Sequence, residues 1–235
     1  MEMLFLHRST RKEILDNDSI ETAELDLNLK ELHSINKLLG GYKATLAGLE
    51  NVFRASEKEL INVLDIGFGG GDSIRVMSEY AINKQRKVFF YGVDLKADCV
   101  AYATKNLDGI SNKMLICDDY RNLSSEFLET IDVIHCSLFI HHLTDEEIEK
   151  LIRFSYENKC ILLINDLHRH PVAFYSIKFL TQLFSRSRLV RNDAPLSVLR
   201  GFRKRELRKL FEKSGYSDFS VRWIWAFRYL IFAGK

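Results

Sequence analysis

Three glycines at alternate positions follow a short apolar run in the first third of the chain. The run is residues 63–66, and the glycines are Gly67, Gly69 and Gly71. Glycine lets the main chain approach a ligand closely, and a helix start after such a turn offers free N–H groups to an anion. A dinucleotide fingerprint, GxGxxG, would need its third glycine at position 72, which is aspartate. The spacing therefore indicates an adenosine cofactor that is not a dinucleotide.

Carboxylates end the next two apolar runs. Residues 88–94 end in Asp94, and residues 113–119 end in Asp118 and Asp119. An acid at the end of the second strand of such a fold can accept hydrogen bonds from ribose hydroxyls. Each acid alone could equally be a solvated strand end or a helix cap. Together with Asp65, they place acids at three successive strand ends, which favours one shared site.

The pattern DxGxGxG at residues 65–71 resembles the cofactor motif of class I S-adenosylmethionine (SAM)-dependent methyltransferases, and the resemblance extends over residues 35–235. It is closest to the small-molecule methyltransferases related to ubiquinone and menaquinone biosynthesis enzymes. The resemblance implies SAM as cofactor, Asp94 at the ribose, and Asp119, with Asp118 as the alternative, at the adenine. The cofactor site that it implies comprises Asp65, Gly67, Gly69, Gly71, Asp94, Leu95, Asp118, Asp119, Tyr120 and Ser137.

Alternating strand and helix patterns would position these residues. Five apolar runs separated by helical stretches predict βαβ units, and Thr144 with Glu147 predicts a capping box for the helix after the fourth strand. The expected fold is α/β: a Rossmann-like, doubly wound, mainly parallel sheet of seven strands. Residues 219–225 and 228–233 would form its closing antiparallel hairpin. Ligands of such sheets bind beyond the carboxyl ends of the strands.

We expect one structural unit with two parts. Residues 1–55 would form an N-terminal helical cap, because residues 8–32 have the spacing of amphipathic helices. Residues 56–235 would form the methyltransferase domain, with a helical insertion at about 171–200. Tyr42 could line the site or simply pack beside a turn.

The predicted insertion joins an apolar helix to a basic stretch. The cations lie between residues 186 and 205, after the helix at 172–184. This arrangement fits an acidic or lipid-like substrate, a carrier protein or a membrane surface, and it fits equally a core helix followed by a solvated basic face.

Histidines follow the fourth and fifth strands, where an acceptor would lie. An acceptor phenol or acidic carbon must lose a proton, and imidazole titrates in the useful range. His168 and His142 are the leading candidates for the base, with His141 and His170 behind them. A structural role is open for each, and Asp166 could orient a neighbouring histidine or cap a helix.

Composition narrows the function further. A hydrophobic content of 46% can supply a core without disulfides or metal, and a net charge of +2 gives no case for a nucleic-acid partner. The four cysteines lack a CxxC pair, so we expect no metal site. We expect a cytoplasmic protein without a leader or membrane span, although peripheral membrane contact is open. No pattern specifies an oligomeric state.

The predicted function is methyl transfer from SAM to an oxygen, or a carbon, of a small and largely apolar acceptor. The segments 166–171 and 185–191 resemble a subgroup associated with phenolic or polyketide-derived acceptors. Three alternatives stay open at this point: a non-catalytic SAM-binding or partner-binding module, an RNA methyltransferase, and a nucleotide-dependent oxidoreductase.

Overall fold

Seven strands form one sheet through the centre of the molecule. The computed structural model describes residues 2–17 and 20–234. In space the strands follow the order β3-β2-β1-β4-β5-β7-β6, with β7 antiparallel between β5 and β6 and the others parallel. The predicted fold is confirmed. The strands are β1 Leu60–Ile66, β2 Lys87–Asp94, β3 Lys113–Cys117, β4 Val133–Ser137, β5 Ile161–Leu167, β6 Phe219–Ile224 and β7 Arg228–Ala233.

Helices cover both faces of the sheet. They are α1 Thr22–Leu38, α2 Tyr42–Ala55, α3 Asp72–Asn83, α4 Ala97–Asn106, α5 Ser125–Leu128, α6 Asp145–Glu157, α7 Pro171–Phe184, α8 Arg188–Arg200 and α9 Lys204–Lys213. The predicted capping box begins α6: Thr144 Oγ1 accepts from Glu147 N, and the Glu147 carboxylate accepts from Thr144 N. Each box member satisfies an N–H that the helix cannot pair internally.

Two apolar clusters sandwich the sheet. On one face, Ile66 and Ile164 pack with residues of α6 and α9. On the other, Val63 and Phe90 pack with residues of α2 and α3. Strands buried on both faces by helices are typical of parallel sheets. Because β1 to β5 are parallel, their carboxyl ends share one edge of the sheet.

Residues 8–16, called here the N-terminal strap, depart from the helical expectation. Apart from a 3₁₀ turn at Ile14–Asp16, the strap is extended. Besides the local bond from Asp16 N to Glu13 O, its backbone bonds to distant groups: the carboxylate of Asp193 on α8 accepts from Ile14 N and Leu15 N, both at 2.9 Å. These long-range bonds replace those of a helical turn, so amphipathic spacing misled the prediction here.

The division into cap and domain stays a prediction. Residues 1, 18, 19 and 235 of those ranges lie outside the described residues. Helix α2 packs directly on the sheet, since a Cβ added to Gly48 would lie 2.1 Å from Leu163 Cδ1. Helix α1 instead contacts the segment around α8, where the Glu31 carboxylate accepts from Arg186 N at 2.8 Å.

The basic stretch does not form one continuous charged surface. Arg200 is buried, Arg188 pairs with Glu24, and Arg191 donates to the carbonyl of Ser185. Helix α7 buries one face around Phe174 and exposes the other. Within the described residues, no helix has the length and apolar character needed to cross a membrane.

Candidate cofactor and acceptor cleft

The turn between β1 and α3 is shaped by glycines with positive φ. Gly67 has a φ of +67°, and a Cβ there would lie 2.3 Å from the Phe139 ring. Gly69 has a φ of +54°, and its Cβ would enter the space between this turn and Leu29 of α1. L-residues with side chains rarely adopt these angles. The turn therefore keeps bare main chain along one wall of a cleft.

Asp94 lies at the end of β2 and lines the same cleft. Its Oδ2 accepts from Gly69 N at 2.9 Å, and its Oδ1 accepts from Lys96 N at 3.0 Å. Burial raises the pKa of Asp94 above its ordinary value, although the two amide donors oppose this shift. Each carboxylate oxygen has a second lone pair, so Asp94 can also accept from a bound diol.

The acids after β3 form a third part of the wall. Asp118, Asp119 and Tyr120 all line the cleft, as do Leu95 and Ser137. Asp119 accepts from the backbone N–H of Arg121 at 2.9 Å and pairs with its guanidinium. The hydrogen bond from Arg121 lowers the pKa of Asp119, so this acid is held ionised.

Two predicted cofactor contacts need correction. Asp65 is 1% exposed and lies beneath the cleft, where Oδ1 accepts from His135 Nδ1 at 2.7 Å. Pairing between β1 and β4 sets Asp65 opposite His135 and so turns it inward. Gly71 is the N-cap of α3 with a φ of +78°, and its Cβ would meet Leu107 at 2.8 Å. Both residues shape the turn without lining the cleft.

The same cleft also has apolar walls, several of them on α1. Its volume is about 680 Å³, within the range of about 300–1,000 Å³ usual for small-molecule sites. Tyr42 and Asn36 line it, together with the apolar side chains Leu15, Ile20, Leu25, Leu32, Phe139 and Leu143. The polar groups that line the cleft include His142 and Asp16.

The histidines after β4 and β5 separate into two groups. His142 lines the cleft, and its Nδ1 lies 2.7 Å from Asp16 Oδ1. His141 is buried behind it, with Nδ1 2.8 Å from Asp166 Oδ1. Asp166 thus orients a histidine, which was one of its two predicted roles. His170 caps α7 by accepting from Val172 N.

His168 lies away from the cleft, which corrects its place as a leading base candidate. Its ring packs 4.9 Å from the Tyr229 ring and 5.2 Å from the His170 ring. Its Nδ1 is buried without a hydrogen-bond partner. Burial, followed by the charge of His170, lowers the pKa of His168 from 6.5 to about 4. This environment holds the ring neutral.

The depressed pKa of His168 predicts an acid-sensitive contribution to stability. Because the unfolded chain protonates His168 near pH 6.5 and the folded chain near pH 4, the neutral ring's full contribution is present above pH 6.5 and is lost as the pH falls toward 4. Urea unfolding at pH 7 and pH 5 measures it. The His168→Gln variant should lose less stability between these two values than the unmodified protein; equal losses would contradict the prediction.

Two charged residues of this site escaped the sequence analysis. Asp16 and Glu13 belong to the N-terminal strap and reach the histidines after β4. Burial opposes ionisation of Asp16, but bonds from His142 lower its pKa to about 2, whereas burial raises the pKa of Glu13 to about 7. More than 120 residues separate the partners, so local spacing carries no signal for them.

The arrangement defines a class of protein. A sheet of this strand order, with a glycine turn after β1 and acids after β2 and β3, is the class I SAM-dependent methyltransferase fold. Residues 63–157 match a family model described as a methyltransferase domain. That segment holds the glycine turn, Asp94, Asp119 and His142. These residues of the chain therefore form a methyltransferase domain, in a fold that SAM-dependent methyltransferases share.

Solved structures share the fold at low sequence identity. A SAM-dependent methyltransferase from Aquifex aeolicus matches with a TM-score of 0.59 and 17% identity, over 92% of this chain and 98% of that one. Magnesium protoporphyrin IX methyltransferase from Synechocystis, with bound S-adenosylhomocysteine (SAH), matches with 0.51 and 14%, over 94% and 90%. No curated protein matches the sequence.

The CMeT domain of the citrinin polyketide synthase also matches, with a TM-score of 0.55 and 14% identity. The match covers 74% of this chain and 46% of that one, so this chain spans about half the length of that structure. These likenesses concern the fold.

The cofactor end of the cleft has groups that fit SAM. A Cβ at Gly69 would fill the space that the bare turn leaves open, and the start of α3 offers N–H groups to a carboxylate. Asp94 offers lone pairs to hydroxyls. We propose that these groups, with Asp119 and Tyr120, hold the cofactor when it is bound.

Replacement of Asp94 by alanine should weaken SAM binding by about 10- to 100-fold, because a hydrogen bond to a charged group contributes about 1.5–3 kcal/mol. Calorimetric titration measures the change. Asp218→Ala is the matched control, since Asp218 is exposed and lies outside the cleft. Unchanged affinity in a folded Asp94→Ala protein would remove Asp94 from the site.

Proposed function

We propose that this methyltransferase acts on a hydroxyl oxygen of a small, largely apolar phenol, which binds beside His142 in the cleft. One observation carries the proposal. A single cleft is lined by the glycine turn and Asp94, by apolar side chains that include Leu25, Leu32 and Leu143, and by His142. Apolar walls with few polar groups are typical of sites for small organic ligands.

His142 is the cleft residue that we propose activates the hydroxyl. Asp16 can only accept, so the hydrogen bond between them places a proton on His142 Nδ1. The neutral ring therefore keeps a lone pair on Nε2. That lone pair can take either the acceptor's proton or a cation that polarises the hydroxyl.

SAM, when bound, supplies a methyl group on a sulfonium sulfur, which becomes a thioether as the acceptor oxygen takes the methyl group. The residues around the cleft supply alignment of the two reactants, which by itself contributes much of the rate in such displacements. Leu29 and Tyr42 face the cleft from α1 and α2, so we propose that these helices exclude water as a cap.

The same cleft would accept a carbon nucleophile next to a phenolic hydroxyl. The likeness of the fold to the CMeT domain of a polyketide synthase supports a carbon acceptor as the second candidate. RNA is less well supported, because the cations of the basic stretch pair with neighbouring groups instead of forming a continuous track.

The test begins with calorimetric titration of the purified protein with SAM, SAH and NAD. Binding of SAM and SAH without NAD is expected, and binding of NAD alone would overturn the cofactor assignment. SAH release is then followed with phenols, with the same phenols lacking the hydroxyl, and with RNA. Turnover that requires the hydroxyl supports the proposal, whereas turnover on RNA and on no phenol contradicts it.

A further inference from the structure

Three side chains, those of Glu13, His141 and His142, converge beside the cleft. His141 Nε2 lies 3.6 Å from Glu13 Oε1, and His142 Nε2 lies 3.8 Å from Glu13 Oε2. Glu13 is 3% exposed and His141 2% exposed. The facing ligand atoms of all three lie within 4.8 Å of one another. Both distances to Glu13 are too long for hydrogen bonds.

The other nitrogen of each ring identifies which atoms face inward. His141 Nδ1 bonds to Asp166 at 2.8 Å, and His142 Nδ1 bonds to Asp16 at 2.7 Å. A carboxylate only accepts, so both Nδ1 atoms carry protons and both Nε2 atoms of the neutral rings carry lone pairs. Two lone pairs therefore face the Glu13 carboxylate across a buried space, an arrangement that repels itself unless something positive lies between.

The same pattern surrounds metal-ligating histidines. Such a ring almost always donates its second N–H to a carboxylate or carbonyl, which fixes the tautomer and the orientation. Here both rings have this support, from Asp166 on β5 and Asp16 on the N-terminal strap. The rings also pack on each other, 4.3 Å between centroids. The donors are thus held in place before any ion arrives.

The local charge leaves room for a divalent cation. Three carboxylates, those of Glu13, Asp16 and Asp166, lie in this cluster, and one guanidinium contacts two of them. That guanidinium belongs to Arg200, which is 3.0 Å from Asp16 and 3.9 Å from Glu13. Ser197 Oγ donates to Glu13 Oε1 at 2.8 Å and leaves Oε2 for the ion.

We propose that Glu13, His141 and His142 bind one divalent transition-metal ion of the zinc type. Bonds of about 2.1 Å to an ion at tetrahedral angles separate the ligand atoms by roughly 3.4 Å. His142 Nε2 lies 3.8 Å from Glu13 Oε2, and the three ligand atoms lie within 4.8 Å of one another. Two imidazoles and a carboxylate suit zinc, cobalt or ferrous iron better than magnesium or calcium, which prefer oxygen ligands.

The ion would join the N-terminal strap to the segment after β4, because Glu13 belongs to the first and both histidines to the second. Resting on the proposed function, it would also make His142 a ligand, so that the ion and not the imidazole polarises the acceptor hydroxyl. An ion of this kind lowers the pKa of a bound hydroxyl without a strong base.

Metal binding can be measured without SAM or acceptor, so its failure is separate from failure of the proposed function. The full chain, stripped with a chelator, is titrated with Zn²⁺ by calorimetry and with Co²⁺ by absorption. We expect one ion per chain and the visible bands of tetrahedral cobalt. The Glu13→Gln and His142→Ala variants should each bind at least about 10-fold more weakly.

His33→Ala is the matched control. His33 Nδ1 also pairs with a carboxylate, 2.9 Å from Asp72, but no second histidine is grouped with it among the residues that the structure describes. It should bind Zn²⁺ as the unmodified protein does. Glu13→Gln keeps the size of the side chain, so it stays informative if His142→Ala unfolds. Absent binding, or binding that both variants leave unchanged, overturns the proposal.

Discussion

Replacing His142 by alanine is expected to lower turnover on a phenolic acceptor by about 10²–10⁴-fold, the usual contribution of a group that activates a reacting hydroxyl. His142 lines the cleft, and its hydrogen bond to Asp16 fixes its tautomer. Affinity for SAM should stay unchanged, because His142 is not among the groups proposed to hold the cofactor. The measurement is SAH release at saturating SAM, with calorimetric titration of the same sample.

The control for this experiment is His7→Ala, which removes an exposed histidine outside the cleft. It should keep full turnover. The idea fails if the folded His142→Ala protein turns over phenols as fast as the His7→Ala protein. A parallel loss of SAM affinity would instead indicate that the variant disturbs the whole cleft.

Replacing Arg169 by alanine should lower the free energy of unfolding by about 3–5 kcal/mol, the range for removing one partner of a buried charged network. Arg169 is 1% exposed, donates to the carbonyls of Phe5 and Gly201, and pairs with Glu206. Without the guanidinium these carbonyls lose their donor. Urea denaturation measures the loss.

Arg205→Ala provides the comparison, because Arg205 is exposed on α9 and its removal should change stability by less than about 0.5 kcal/mol. Arg169→Lys should fall between the two variants, since an ammonium keeps the charge but cannot reach several acceptors in the plane of a guanidinium. Early proteolysis near residue 6 in Arg169→Ala would agree with loss of the bond to Phe5. An Arg169→Ala protein as stable as Arg205→Ala would show that this network contributes little.

The sequence determined the fold and predicted several residues that line the cleft. Each signal there is local: a strand, a glycine turn and a helix follow one another, and Asp94 and Asp119 end their own strands. Parallel strands align their carboxyl ends at one edge of the sheet, so local signals separated by about 25 residues meet without further information. Asp65 and Gly71 are the exceptions, because pairing with His135 turned Asp65 inward and Gly71 caps α3 against Leu107.

The tertiary structure decided which histidine faces the cleft. His142 and His168 both follow strands and look equivalent in the sequence, but β7 and α7 enclose His168. The structure also brought Glu13 and Asp16 to the histidines after β4. The strap's place rests on backbone bonds to Asp193, far along the chain. Contacts between such distant residues depend on how elements pack, and no periodicity or motif within a short window encodes that packing.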